Sequence, residues 1–329
     1  TEPIIKELGD YEFRARAGAL LNEIASISKT LWLNQEYPET RKAKHFLSAP
    51  EWVAYCLGAE LVNELSLVSR TGFYDVEARA PWLEAMSLVG GGEDFLARLV
   101  VAGEPIGVVN NNAPEVLRGA VITIAGHDHF TAAYYCGAIN EGSLFDSMGT
   151  AEALLRTFKK PLSRDAIAEL AAANVGLSAS VIADHFTLLG ALPTGLTLER
   201  VCSLVGVSTR DEKIALGEAA LQIDPKASAL RVNNDYHGLS VTNLDDALSP
   251  GALFRATAEH LVEESAKMVS LIEKFTGKAS EVVIAGGWAK NPMIASAKKK
   301  QFGSYKVSDA TEAGATGAAQ FAGVAAGIF

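Results

Sequence analysis

The sequence has few cysteines, a shortage of positive charge and no long apolar run, and each shortage argues against a class of protein. Its 329 residues include three cysteines, Cys56, Cys136 and Cys202, too few and too widely spaced for a disulfide framework or a cysteine metal site. We expect them to be small core residues in a reducing compartment. The 29 lysines and arginines against 39 acidic residues give a net charge of −10, so we expect no nucleic-acid partner.

No stretch reaches the roughly 18 to 20 apolar residues that a membrane span requires, and no signal peptide is recognisable. We therefore expect a cytoplasmic protein with no membrane partner. The one dense basic cluster, residues 298–300, is interpreted as a solvated helix face. Hydrophobic residues make up 49% of the chain, which is enough for large buried cores. The length suggests about two domains.

Two common nucleotide-binding motifs are also missing. Neither the dinucleotide fingerprint G-x-G-x-x-G nor the P-loop pattern G-x-x-x-x-G-K-[ST] occurs, so a dehydrogenase or a P-loop enzyme fits poorly. Helical and strand patterns alternate along the chain, which predicts the α/β class. We place the division between two lobes near residue 140, giving residues 1–140 and 141–329.

Several elements can be predicted from local patterns. Apolar residues from Leu20 to Trp32 recur at helical spacing and predict a core-facing helix. Ser48 and Glu51 form a capping-box pattern that opens a helix ending at Gly58. Further helices are expected after residue 193 and from residue 250 to 276, and strands at 186–192 and 282–285. Residues 227–250 show weak periodicity, and we assign no element there.

The segment 121–152 carries the clearest chemical signal. A β-branched run, residues 121–124, predicts a strand that delivers Asp128 at its carboxyl end. A second predicted strand, residues 143–147, leads into a turn containing Gly149 and Thr150. Ligands of open α/β sheets bind at the carboxyl ends of the strands. A carboxylate that deprotonates a hydroxyl and backbone N–H groups that hold an anion are what phosphoryl transfer needs.

Three interpretations of Asp128 are open. His127 and His129 flank it, so the three side chains could belong to a metal site, although no further ligand pattern accompanies them. Asp128 could instead cap the helix that starts near Phe130. We favour a catalytic base, because the end of a strand would aim the carboxylate into a crevice.

A second glycine-rich turn follows the predicted strand 282–285 and precedes a helix. Gly286 and Gly287 would let the backbone approach a ligand closely, and Lys290, Asn291 and Pro292 follow. A plain strand-to-helix turn explains the two glycines equally well.

These motifs occur together, and in the same order, in a known family. The whole chain resembles the FGGY carbohydrate kinases, which transfer the γ-phosphoryl group of ATP to a sugar or polyol hydroxyl. The matching segments share their order with the family, and they are the stretches 26–33, 47–58 and 66–72, GHDH at 126–129, SMGTAEA at 147–153, Gly195 with Glu199, Gly286 and Gly287 with Asn291, and residues 312–319.

The resemblance implies a fold, an activity and roles for these residues. The fold would be the two-lobed actin/hexokinase-like (ribonuclease H-like) ATPase fold, with an interlobe cleft and with ATP and Mg²⁺ as cofactors. Asp128 would be the general base, and Gly149 and Thr150 would face the β- and γ-phosphates. The nucleoside side would be bound by Gly195, Glu199, Gly286, Gly287 and Asn291; no residue of this chain is assigned as a metal ligand.

The family also opens with an Asp-x-Gly-Thr segment that helps to hold Mg²⁺ and that this sequence does not contain. We therefore expect the first lobe to be incomplete here. The implied substrate is a small-molecule sugar or polyol whose identity the sequence does not give, and a homodimer is left open. The alternative function is a non-catalytic nucleotide- or sugar-binding fragment, such as a degenerate kinase.

Overall fold

A computed structural model describes residues 1–225, 229–234, 237–244 and 248–329. The helices, numbered in chain order, are α1 (Glu2–Leu8), α2 (Asp10–Ala17), α3 (Ser26–Glu36), α4 (Ala49–Leu57), α5 (Leu65–Val68), α6 (Leu83–Leu88), α7 (Asp128–Tyr135), α8 (Arg164–Ala172), α9 (Thr194–Leu204), α10 (Arg210–Leu221), α11 (Pro250–Thr276), α12 (Pro292–Phe302) and α13 (Ala313–Ala325). Short 3₁₀ helices lie at Pro38–Lys42, Glu115–Leu117 and Gly287–Lys290.

The strands, also in chain order, are β1 (Val62–Glu64), β2 (Tyr74–Asp75), β3 (Ala80–Pro81), β4 (Arg98–Val100), β5 (Gly107–Val108), β6 (Val121–Ile122), β7 (Ser143–Met148), β8 (Glu152–Phe158), β9 (Val175–Ala179), β10 (Phe186–Leu192), β11 (Arg231–Asn234), β12 (Leu239–Thr242), β13 (Glu281–Ala285) and β14 (Lys306–Val307). The mixture of helices and strands confirms the α/β class.

The described residues form two compact units. The first unit consists of Thr1–Glu141, Arg156–Leu189 and Glu312–Phe329, and the second of Gly142–Leu155 and Gly190–Thr311. The first stretch ends next to the expected boundary near residue 140. The first unit also includes two later stretches that the sequence reading placed in the second lobe. Whether the two units correspond to the two functional lobes stays a prediction.

The sheet of the second unit brings two turns to one edge. Strands β14, β13 and β7 run parallel in that order, and β8 and then β10 follow. In the register of β7 and β13, Asp146 lies opposite Ile284 and Ser147 opposite Ala285. The two strands therefore end side by side, immediately before the turns that contain Gly149 and Gly286. Carboxyl ends of parallel strands are the usual ligand-binding edge of such a sheet.

The first unit contains the remaining ends of β8 and β10 with β9, in the order β8-β10-β9. It also has short strand pairs: β1 and β4 are parallel, whereas β2 with β3 and β5 with β6 are antiparallel. One hydrophobic core cluster includes residues of α4, β1, β4 and β6. Its buried members are Ala54, Ala59, Val62, Val100, Ile106, Val109, Ala113, Ile122 and Ile124.

Elements with strong local signals form as predicted. The capping-box pair lies at the start of α4, where the backbone N–H of Ser48 donates to Glu51 Oε2 at 2.6 Å. Helix α11 starts at Pro250 and stops before Gly277, and β10 spans the predicted residues 186–192. In the weakly periodic segment 227–250, β11 and β12 form an antiparallel hairpin, whereas residues 226–228, 235–236 and 245–247 lie outside the described residues.

Two expectations about the first half are wrong. The stripe from Leu20 to Trp32 is not one core-facing helix, because α3 begins only at Ser26, and Ile24 and Trp32 are exposed. Strand β6 covers only residues 121–122 and pairs antiparallel with β5, so Asp128 is not at the end of a strand in a parallel sheet.

The cysteines do not all lie in the core as expected. Only Cys202 is buried, Cys56 is exposed, and all three are free thiols.

None of the helices in the described part of the chain combines the length and apolar character that a membrane crossing requires.

Candidate active site

Asp128 is the first residue of α7. The helix takes His127 as its N-cap residue, so Asp128 does not occupy the capping position. Its side chain is 81% exposed, and its Oδ1 lies 3.1 Å from His127 Nδ1. The same oxygen accepts a 2.7 Å hydrogen bond from the backbone N–H of His129. A negative charge in the first turn of a helix interacts favourably with the helix dipole, and this carboxylate is also open to solvent.

The loop that precedes Asp128 is fixed by a buried carboxylate. Glu64 Oε2 accepts a hydrogen bond from Ser66 Oγ at 2.6 Å, and Ser66 Oγ accepts one from the His127 backbone N–H at 2.9 Å. Gly126 has a φ of +87°, and a Cβ there would lie 2.5 Å from Ser66 Oγ. Because only glycine fits this position easily, β1 and α5 hold the loop and set the start of α7.

Charges around Asp128 come from neighbouring side chains of the same unit. Arg70 is partly buried; burial lowers its pKa, and the Asp128 carboxylate opposes that shift. Burial, assisted by the charge of Arg70, lowers the pKa of His127 to about 3, so this imidazole is neutral near pH 7. Burial raises the pKa of Glu64 to about 7. The sequence reading missed Glu64, Ser66 and Arg70, although Ser66 and Arg70 lie in a stretch that matched the family.

Helix α13 packs closely on α7 within the first unit. A Cβ at Gly317 would overlap the carbonyl oxygen of Thr131, and a Cβ at Gly314 would lie 3.6 Å from the carbonyl oxygen of Asp128. The rings of Tyr134 and Phe321 add a contact at 4.6 Å between centroids. Residues near the end of the sequence therefore support the helix that carries Asp128.

The metal interpretation of this region gains no support. Within the described ranges, no group of three or more His, Cys, Asp and Glu side chains is arranged to hold a metal ion. The rings of His127 and His129 stack on each other with centroids 6.0 Å apart. We assign no metal ligand here.

The second unit holds the turn of Gly149, Thr150 and Ala151 between β7 and β8, called the 149–151 turn below. Gly149 and Thr150 are both exposed. The Gly149 N–H donates to the Ala151 carbonyl at 3.1 Å, and the Thr150 carbonyl accepts from the Leu196 N–H at 2.8 Å. The turn is thus held to the first turn of α9 and presents its outer side to solvent.

Two further predicted residues pack directly against this turn. Any side chain at Gly195 would overlap the carbonyl group of Gly149. Gly286 has a φ of +101°, and a Cβ there would overlap the carbonyl group of Met148. The structure therefore brings Gly149, Thr150, Gly195 and Gly286 together, because only glycine permits these backbone approaches.

Gly287 differs from its neighbour. It is exposed, and a Cβ at this position would meet no atom within 4 Å. The space in front of its backbone is open, as expected of a residue that a ligand can approach.

Glu199 and Asn291 have partners of their own. Both carboxylate oxygens of Glu199 accept from Lys213 Nζ at 2.7 Å. Asn291 is buried and caps α12, where its Oδ1 accepts from the backbone N–H groups of Met293 at 3.0 Å and Ile294 at 3.4 Å. Its Nδ2 donates to the Lys213 carbonyl at 2.8 Å. The structure thus gives Asn291 a structural role, and its contact with a nucleotide stays a prediction.

A buried ion cluster under the 149–151 turn was missed. Lys298 was expected on a solvated helix face, but its side chain is 1% exposed and only its neighbours Lys299 and Lys300 are exposed. Its Nζ lies 2.7 Å from Asp146 Oδ2 and 2.6 Å from Glu152 Oε1. Burial raises the pKa of Asp146 to about 7, which Lys298 opposes and Glu152 reinforces. We call Lys298, Asp146, Glu152 and Ser265 the Lys298 cluster.

The predicted site residues are divided between the two units. Asp128 belongs to the first unit, and the seven residues expected to bind the nucleotide belong to the second. The exposed turn and the glycines packed beneath it are suited to an approaching phosphate group, whose oxygens accept hydrogen bonds from backbone N–H groups. The described residues present no cluster for Mg²⁺, so we assign none of them to that ion. Magnesium commonly reaches such sites with few protein ligands and with the substrate phosphates.

Comparisons with known proteins bear on the family and the fold. Residues 1–134 match the family described as "FGGY family of carbohydrate kinases, N-terminal domain". The chain is 24% identical over 318 residues to an L-fuculokinase of Escherichia coli K12, an alignment that covers 92% of this chain and 65% of that protein. It is 25% identical over 363 residues to an autoinducer-2 kinase of the same strain, with coverage of 99% and 66%. The chain thus spans about two thirds of the length of these relatives.

Solved structures show the same fold. A xylulose kinase from Rhodospirillum rubrum superposes with a TM-score of 0.86 at 15% identity, covering 99% of this chain and 68% of that one. The likeness confirms the expected actin/hexokinase-like ATPase fold. The sequence match of the first 134 residues, the curated relatives, which are kinases, and the shared fold point in the same direction. By its first 134 residues the chain is similar to the FGGY family of carbohydrate kinases.

Proposed function

We propose that the protein carries out the ATP-dependent phosphorylation of a sugar or polyol hydroxyl with Asp128 as general base. The observation that carries the proposal is the Asp128 carboxylate. It is exposed at the start of α7, and His127, not Asp128, is the N-cap residue of this helix. The charge of Arg70 lies near enough to interact with it. The match of residues 1–134 to the FGGY family and the similarity to curated kinases suggest the reaction class.

The proposed step is an in-line transfer. The acceptor oxygen forms a bond to the γ-phosphorus while the bond to the β–γ bridging oxygen breaks, and ADP leaves. The proton of the acceptor hydroxyl moves to the Asp128 carboxylate. A neutral His127 adds no positive charge beside this base near pH 7. General-base catalysis of this kind typically contributes about 10²- to 10⁴-fold.

The nucleotide side is assigned to the second unit. In this proposal Gly149 and Thr150 face the β- and γ-phosphates of ATP, and Gly195 and Gly286 keep the backbone close enough for the turn to form. Gly287, with its open surroundings, lies against the nucleoside. Asn291 and Glu199 contribute to the same region, and Mg²⁺ accompanies the phosphates.

The proposal predicts the effect of Asp128→Asn. Removing the carboxylate should lower the rate of ADP release by at least about 10²-fold and leave ATP affinity within about twofold, because the base acts on the acceptor hydroxyl. The measurement is coupled ADP release over a panel of acceptors that includes L-fuculose, gluconate, xylulose and glycerol. The matched control is Asp184→Asn, which changes an exposed aspartate of the same unit. Turnover of Asp128→Asn within a few-fold of wild type would contradict the assignment.

The competing function is a non-catalytic binding module or degenerate kinase. This alternative predicts that the protein binds ADP or a sugar but releases no ADP with any acceptor. The same panel decides between the two functions, because only the kinase shows acceptor-dependent turnover that Asp128→Asn removes. A homodimer stays a prediction, which light scattering would test.

A further inference from the structure

The Lys298 cluster joins the two strands that carry the 149–151 turn. Asp146 lies in β7, three residues before Gly149, and Glu152 is the first residue of β8, two residues after Thr150. Lys298 reaches both carboxylates from α12 and also donates to Ser265 Oγ at 2.9 Å. One buried ammonium group therefore connects the strand that enters the turn with the strand that leaves it.

A second chain of contacts runs from the cluster to the turn through α9. Glu152 Oε2 accepts a 2.6 Å hydrogen bond from Thr194 Oγ1. The next residue, Gly195, packs against the Gly149 carbonyl. The residue after that, Leu196, donates its N–H to the Thr150 carbonyl. A shift in the position of Glu152 or Thr194 would therefore move the backbone of the 149–151 turn, because Gly195 and Leu196, the two residues after Thr194, contact it directly.

These groups are costly to bury. Lys298 and both of its carboxylate partners are 1% exposed or less, and Thr194 is 2% exposed. Replacing such a buried ion group by apolar residues is often neutral or stabilising, so its presence is weak evidence for stability alone. The geometry of the cluster offers another explanation, because buried ion pairs and hydrogen bonds fix the backbone to which their side chains are attached.

We propose that Lys298, Glu152 and Thr194 are positioning residues that hold the 149–151 turn in the conformation that binds the phosphates of the nucleotide. The inference rests on the proposed function, since it takes the turn to be a phosphate site. The three side chains act on the phosphates through the turn and are not assigned a contact with the nucleotide. Preorganisation of the turn lowers the ordering cost of binding, so a loosened turn loses affinity for phosphates specifically.

The test compares Thr194→Val with Thr194→Ser. Valine keeps the size and branching of threonine but removes the hydroxyl that Glu152 accepts from, whereas serine restores the hydroxyl. We expect the Kd for ADP, measured by titration calorimetry, to rise about tenfold in Thr194→Val and to stay within about twofold of wild type in Thr194→Ser. The Kd for adenosine, which has no phosphate, should not change in either variant.

A second pair of variants probes the ammonium group. Lys298→Met removes the charge from the cluster, and Lys299→Met removes the same group from the exposed neighbouring position of α12. We expect a larger loss of ADP affinity in Lys298→Met, and wild-type affinity in Lys299→Met. If Lys298→Met does not fold, the comparison at Thr194 still decides the matter.

Each outcome has a separate meaning. If Thr194→Val keeps its ADP affinity, or loses ADP and adenosine affinity equally, the positioning role is overturned and the proposed kinase function still stands. A wild-type protein that binds neither ADP nor ATP overturns the phosphate site and the positioning role together. Selective loss of ADP affinity with rescue by serine supports the inference.

Discussion

At the scale of the residue, Gly286 and Gly287 are neighbours under opposite constraints. Gly286 has a φ of +101°, and the Met148 carbonyl group occupies the space that a side chain would need. The space around Gly287 is open. We expect Gly286→Ala to destabilise the fold by about 1–3 kcal/mol, because it adds both backbone strain and overlap. Gly287→Val should fold with an unchanged thermal midpoint and lose ATP affinity, because its side chain fills the approach of the ligand.

Thermal unfolding and ATP titration of the two glycine variants separate these effects. Unchanged ATP affinity in Gly287→Val would count against the nucleotide site at this turn. An unchanged thermal midpoint in Gly286→Ala would contradict the packing of this glycine against Met148.

His127 gives the first unit a defined pH dependence. Its pKa is lowered from 6.5 to about 3 in the folded protein, chiefly by burial. The unfolded chain therefore takes up a proton below about pH 6.5 that the folded chain does not, and the contribution of His127 to stability is lost as the pH falls towards 3. Glu64 has the opposite pH dependence, because its pKa is raised from 4.5 to about 7 in the folded protein. Its contribution to stability is therefore lost as the pH rises from 4.5 to 7.

We expect the difference in free energy of unfolding between wild type and His127→Gln to shrink as the pH falls. The slope should be at most about 1.4 kcal/mol per pH unit below pH 6.5. Urea denaturation of both proteins at pH 5, 6 and 7 measures it. A pH-independent difference would show that the folded protein does not hold the imidazole neutral.

The sequence indicated which glycines lie around the 149–151 turn and missed the Lys298 cluster, for a physical reason. Gly149, Thr150, Gly195 and Gly286 lie together because a close backbone approach leaves a glycine or a turn residue at a fixed place in a motif. Whether they bind the nucleotide stays a prediction. Lys298 was misread because three consecutive lysines look alike in sequence. Only the packing of α12 decides that one of them is buried, and its partners Asp146 and Glu152 lie about 150 residues away along the chain.

At the scale of the element, the contact between α7 and α13 is a backbone contact. A side chain at Gly317 would overlap the Thr131 carbonyl, whereas one at Gly314 would make an ordinary contact at 3.6 Å. We expect Gly317→Ala to destabilise the protein by about 1–3 kcal/mol through overpacking. Gly314→Ala should be neutral or stabilising by up to about 1 kcal/mol, because alanine favours the helix. Chemical denaturation of the pair measures both, and equal effects would contradict the close approach.

Elements were predictable where their signal is local. The capping box of Ser48 and Glu51 and the terminal signals of α11 involve neighbours in sequence, and both were predicted correctly. The stripe from Leu20 to Trp32 failed because helical spacing continues across a turn: Asn22 Oδ1 accepts from the backbone N–H groups of Ile24 at 2.9 Å and Ala25 at 3.2 Å, and α3 begins only at Ser26. Periodicity alone does not detect such a turn.

At the scale of the whole molecule, the α/β class followed from the alternation of helical and strand patterns, and the resemblance to the family followed from the order of the motifs. The composition of the units followed from neither. The boundary at Glu141 lies beside the predicted one near residue 140. The assignment of 156–189 and 312–329 to the first unit depends on contacts between distant parts of the chain. Such contacts leave no pattern in a window of the sequence, so a linear division cannot assign these two stretches to the first unit.

The composition of the first unit has a consequence for biosynthesis. The helix that carries Asp128 packs against α13, and α13 is not complete until the ribosome has added residue 325. The residues of the second unit, 142–155 and 190–311, are all made before that point. Although domains usually mature in the order of their synthesis, here the unit that begins first is finished last. A nascent chain stalled before α13 would expose the face of α7 that this helix covers and would be a substrate for chaperones.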